Sequence, residues 1–67
     1  MKYRLIANGA PYGDNESIGS VNTVKEADRI CRKELAAGQG AELIDLSGKV
    51  RAEWKCDGSG KVYRMAH

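Results

Sequence analysis

Acid–base chemistry in this chain would have to be drawn from carboxylates such as Glu42, Asp45, Glu53 and Asp57. Two carboxylates divide into an acid and a base only when their surroundings differ, so these four matter only if the strands that carry them meet at one end. The single histidine, His67, closes the sequence, a poor place from which to orient a general base, and no nucleophile is paired with it. Cys31 and Cys56 lie far apart and match neither a close-spaced metal knuckle nor a Cys-x-x-Cys redox pair. Gly38-Gln39-Gly40 and Gly58-Ser59-Gly60 lack the glycine spacing and the following helix of a phosphate-binding loop, and read as turns. Asn15-Glu16-Ser17 fits the N-glycosylation pattern, an accidental match where no secretion signal is read. The expectation is a protein that is not an enzyme, with no catalytic residue, cofactor or metal ligand.

Binding chemistry is better represented. Lys25, Arg29, Arg32 and Lys33 fall within about 100° of one another on a helix and could lie along a phosphate backbone or an acidic protein surface. A surface helix also needs a solvated face, and Glu26 and Asp28 flank this one. Pro11-Tyr12 sits in a glycine-rich loop, where a tyrosine either anchors an interface or folds back on the sheet edge. Lys2, Arg4, Lys49, Arg51, Glu53 and Lys55 should share the open face of a sheet, a basic surface if the first and fourth strands lie close. Single-stranded nucleic acid binds such faces through stacked aromatics. Tyr3 and Trp54 point the other way, which leaves Tyr63. The expected partner-binding residues are therefore Lys25, Arg29, Arg32, Lys33 and Tyr12.

These side chains must be positioned by five strands and a helix. Lys49 to Cys56 alternates charged and apolar residues without a break, which puts Val50, Ala52, Trp54 and Cys56 on a dry face and the charges on a wet one. Residues 2–8 read as a strand with Tyr3, Leu5 and Ala7 inward and Ile6 on the polar side. Residues 8–15 are a loop. In residues 16–22 Ile18 and Val21 fall on opposite faces of any regular strand with Gly19 between them, which either a bulge or a ragged edge strand would reconcile. Thr23-Val24-Lys25-Glu26 has the form of a capping box. The helix it opens buries Val24, Ala27, Cys31 and Leu35, with Ile30 beside them, pairs Asp28 with Arg32, and ends with Gly38 at C′. Ala41 to Leu46 is a strand, Ser47-Gly48 a hairpin turn, Asp57 to Gly60 a second turn, and Lys61 to Ala66 the last strand. No internal repeat or linker is read. The fold class is α+β, one helix packed on one face of a mainly antiparallel four- or five-stranded sheet, in the order ββαβββ.

At 67 residues the chain reads as one domain, near the size below which a core needs a disulfide, metal or partner. Phenylalanine is absent, so Leu, Ile and Val with one Trp must fill the interior. The net charge of +2 is spread along the chain, with no basic tail to bind any polyanion. No run approaches the length of a signal peptide or membrane span, which suggests the cytoplasm and reduced, core-facing cysteines, with a helix-to-sheet disulfide or a redox switch as the alternatives.

Ser20 to Ala27, the helix, Gly38, a strand, Leu46-Ser47-Gly48-Lys49-Val50 and Trp54 together resemble the layout of small bacterial and phage modules, in which a Thr-capped helix precedes a hairpin and a tryptophan. Phage-encoded inhibitors of bacterial defence, anti-CRISPR proteins among them, are similar in size and build. The resemblance implies a noncatalytic module that binds and blocks, or adapts, a larger bacterial protein. A nucleic-acid-binding module using the helix stripe and basic sheet face is the alternative, and a homodimer paired through an edge strand a third reading.

Overall fold

The computed structural model of the chain describes residues 2–9 and 16–65. It contains β1 (Tyr3–Asn8), β2 (Glu16–Val21), α1 (Val24–Glu34), β3 (Gly40–Asp45), β4 (Val50–Cys56) and β5 (Val62–Met65). This is the expected ββαβββ order, with α1 laid across one face of a five-stranded antiparallel sheet ordered β2-β1-β3-β4-β5.

The helix starts where its capping residue dictates. Thr23 keeps an extended backbone, accepts the Glu26 N–H at 3.1 Å and donates its hydroxyl to the Glu26 carboxylate at 3.4 Å. Ala27, Cys31 and Leu35 are buried, and Val24 and Ile30 pack beside them. The helix ends earlier than expected. Leu35 is the C-cap, not Ala37 as Gly38 at C′ would require: its backbone turns extended while its N–H still bonds Cys31 O at 3.0 Å. Residues 36–39 then close a turn through Gln39 N–H to Ala36 O at 3.0 Å, with Gly38 at φ +86°, the left-handed position that a type II turn reserves for glycine. Gly38 N–H and Gln39 O both bond Cys56, at 3.1 and 2.9 Å, so the sheet claims this segment before the helix can continue.

Two bulges set which side chains face the helix. On β2 the register slips between Leu5↔Gly19 and Ile6↔Ser17, leaving Ile18 as the extra residue and bringing it onto the core side along with Val21, as expected. A second bulge was not anticipated. Leu43 pairs with Ala52 but Ile44 pairs with Val50, so Arg51 is the extra residue. One added residue reverses the alternation beyond it. Val50 accordingly joins Ile44 on the open face, and Arg51 turns to the helix side, where it reaches Asp45, the cross-strand neighbour of the inward-facing Tyr3. Both residues are thus on the opposite side from the one that simple alternation assigns. Leu5, Cys31 and Trp54 are buried as read, and with Leu43 they are the largest fully buried side chains.

The chain also carries a repeat that its interrupted spacing conceals. Ala41-Glu42-Leu43-Ile44-Asp45-Leu46-Ser47-Gly48-Lys49-Val50 is followed by Ala52-Glu53-Trp54-Lys55-Cys56-Asp57-Gly58-Ser59-Gly60-Lys61-Val62, one residue longer. Their two turns superpose bond for bond. Asp45 Oδ1 accepts from Ser47 N (2.9 Å), Ser47 Oγ (2.6 Å) and Lys49 N (3.0 Å); Asp57 Oδ1 accepts from Ser59 N, Ser59 Oγ and Lys61 N at 2.9, 2.6 and 3.0 Å. Gly48 and Gly60 each take φ +88°, and each donates to its aspartate carbonyl. This is a type I turn followed by a left-handed glycine. Leu46 belongs to the first of these turns rather than to β3.

Candidate functional site

The sheet order decides what the open face offers. β3 lies between β1 and β4, so the cations of the first and fourth strands do not merge into one basic surface. Glu42 and Glu53 face each other across β3 and β4 in the middle of that face, with Ile6 and Met65 as their outer neighbours. The four carboxylates considered for acid–base work are therefore not brought together: Glu42 and Glu53 meet mid-sheet, while Asp45 and Asp57 sit in turns at opposite ends of β4. Among the described residues no group of three or more His, Cys, Asp or Glu side chains is placed to hold a metal. His67 lies outside the described residues.

The turn aspartates are consumed by the backbone. The Ser47 hydroxyl, the Lys49 N–H and the Arg51 guanidinium hold Asp45 well below the usual carboxylate range. Asp57 is held down to about 2 by the Ser59 hydroxyl and the Lys61 N–H. Tyr63, 47 % exposed and a possible stacking platform, is engaged locally, with Lys61 Nζ 5.2 Å from its ring centroid. Cys31 and Cys56 are free thiols, both buried, and burial pushes the Cys31 thiol up to about 12.

The helix stripe divides in two. Lys25, Arg29 and Lys33 are exposed. Arg32 also touches solvent, but its guanidinium is committed: Nε donates to Asp28 Oδ2 at 2.8 Å and Nη1 to Val62 O at 3.1 Å. The Asp57–Lys61 pair closes the second hairpin, so by antiparallel alternation the backbone groups of Val62 point away from β4, toward the sheet edge. Arg32 therefore occupies an acceptor that an incoming strand would use. The other Asp28 oxygen accepts the Trp54 indole N–H at 3.0 Å. Arg32, then Trp54, draw the Asp28 carboxyl below its ordinary value. Asp28 thus ties the helix to β4 directly and to β5 through Arg32. The sequence held one signal for this tie, a buried tryptophan whose N–H needs an acceptor. Tyr12 lies outside the described residues.

Two recesses lie at the end of the sheet where the first turn meets the start of β1 and of the helix. One groove of about 540 Å³ runs between Lys2, Tyr3, Val24, Leu46 and Arg51 on the helix side. Another of about 430 Å³ runs between Arg4, Ser20, Ile44, Leu46 and Gly48 on the open side. Leu46 stands between them with 83 % of its surface exposed. Sequence reasoning missed it by counting Leu46 as the last residue of a strand. The surrounding charge is basic, with Lys2, Arg4 and Arg51 against Asp45. Arg51 Nε bonds Asp45 Oδ2 at 2.7 Å, whereas Lys2 and Arg4 have no ion-pair partner among the described residues.

No family model, curated protein or solved structure matches this chain.

Proposed function

We propose that this protein is a noncatalytic protein-binding module, an adaptor or inhibitor of a larger protein, that docks through the sheet end around Leu46. The observation that carries this reading is an internal control. The second turn has the same hydrogen bonds and the same left-handed glycine, and it has Gly58 where the first has Leu46. Turn geometry therefore does not require an apolar side chain at that position. A leucine projecting into water contributes nothing to the core, and Leu46 does not stand alone: it adjoins grooves whose linings include Tyr3, Val24 and Ile44, so the apolar surface on offer is larger than one isolated side chain presents. The exposed ridge of Lys25, Arg29 and Lys33 offers a second contact surface on the helix.

Several features favour a protein partner over nucleic acid. The sheet face is split by Glu42 and Glu53, Arg32 is tied to Asp28 and Val62, and Tyr3 packs on the core instead of standing free for base stacking. The reading is tested by photo-crosslinking capture from bacterial lysate, comparing the wild type with Leu46→Gly, a substitution that copies the second turn. At least one protein should be captured by the wild type and lost from the variant. An identical set of captured proteins for both would refute the assignment of this surface.

A further inference from the structure

The geometry points to the chemistry of the partner: an acidic segment carrying an apolar side chain, which packs against Leu46 while its carboxylates meet Lys2 and Arg4. This inference rests on the docking reading above and specifies its occupant. Both grooves include apolar side chains, Tyr3, Val24 and Leu46 in the first and Ile44 and Leu46 in the second. Each carries at its rim a cation without an ion-pair partner among the described residues, Lys2 in the first and Arg4 in the second.

The one acid in the lining does not offset them. Asp45 Oδ1 takes three hydrogen bonds from its own turn and Oδ2 takes Arg51, so its charge is already spent within the hairpin. A partner presenting carboxylates would meet complementary charge at the rim and apolar surface at the centre, the usual anatomy of an interface. A second copy of this chain fits poorly, because face-to-face contact would set Lys2 and Arg4 against the same cations. A nucleic-acid strand would satisfy the cations but leave Leu46 without an apolar counterpart.

The test is selection of linear twelve-residue peptides from a random display library on the immobilised full chain, followed by titration of synthetic copies against wild type, Leu46→Gly and the double variant Lys2→Glu/Arg4→Glu. Circular dichroism first establishes that both variants are folded. Selected peptides are expected to carry net negative charge and at least one Leu, Ile, Val, Met or Phe, and each variant should weaken binding about tenfold or more. Peptides of net positive charge, or peptides indifferent to both variants, would overturn the proposed partner chemistry while leaving the protein-binding reading intact. No enrichment over the bare support would overturn both. An oligo-dT strand that binds at low salt and is weakened by the double variant but not by Leu46→Gly would assign the surface to nucleic acid instead. A dimer in sedimentation that Leu46→Gly abolishes would assign it to self-association.

Discussion

Asp28→Ala should expose how much of this small fold hangs on a single carboxylate. The substitution removes the acceptor from the indole N–H of Trp54, a residue with 0 % of its surface exposed, and so takes from a buried donor its charged partner. Losing a hydrogen bond to a charged partner and leaving a buried donor unmet is worth about 1.5–3 kcal/mol. Alanine returns a few tenths of a kcal/mol, roughly its helix-propensity advantage over aspartate. The expected net loss is about 2 kcal/mol, a large share of the ~3–10 kcal/mol that a domain of this length commands. Trp54→Phe separates this effect from packing. With no indole N–H to strand, and with the Asp28 side chain 30 % exposed and able to rehydrate, Asp28→Ala in the Trp54→Phe background should cost about 0.5 kcal/mol or less. The coupling energy of the cycle should be about 1.5 kcal/mol. Urea unfolding of all four proteins, followed by far-ultraviolet circular dichroism at pH 7, measures it. Additivity within about 0.5 kcal/mol would show that the bond between helix and sheet carries no weight.

Trp54→Ala should destabilise by about 3–5 kcal/mol while Lys55→Ala, one residue along on the wet face, changes stability by less than about 0.5 kcal/mol, as urea midpoints will show. Asp57 has a folded-state pKa depressed to about 2, so its contribution is complete above its ordinary value, near 3.8, and is lost as pH falls through the folded value. Asp45, also depressed, acts in the same direction. Asp45→Asn/Asp57→Asn should therefore flatten the fall in stability between about pH 4 and pH 2; an acid limb as steep as that of the wild type would refute the assignment. Cys31, its thiol pushed up to about 12 by burial, should resist a disulfide reagent at pH 8 in the folded protein and react quickly in urea.

What the sequence revealed follows the range of the forces involved. Thr23 with Glu26, the stripe of Ala27, Cys31 and Leu35, and the Asp28–Arg32 pair are set within one or two turns of helix, and all are found. The bulge at Ile18 was legible because two apolar residues demanded one face. The bulge at Arg51 was not, because unbroken alternation suits a regular strand equally well, and only pairing with Ile44 reveals the slip. Strand order is a long-range choice, so nothing near Lys2 or Lys49 could disclose that β3 and Glu42 separate them. Gly38 misled as a helix terminator because competition from Cys56 for the same segment comes from a distant strand. Leu46 was missed for a different reason. Its significance lies in comparison with Gly58, and the extra residue in the second repeat hid that correspondence.

The tandem hairpins also bear on the order in which the molecule assembles. β3, β4 and β5 are joined by turns whose closing bonds span only a few residues, whereas β1 reaches β3 by pairing Tyr3 with Asp45 across most of the chain. Short loops close at small entropic penalty and early, long ones late. The three-stranded meander should therefore form the nucleus onto which the N-terminal pair condenses. Stopped-flow chevrons give the readout. Gly48→Ala should mainly slow folding and Leu5→Ala mainly speed unfolding, and the reverse pattern would place the nucleus at the other end of the sheet.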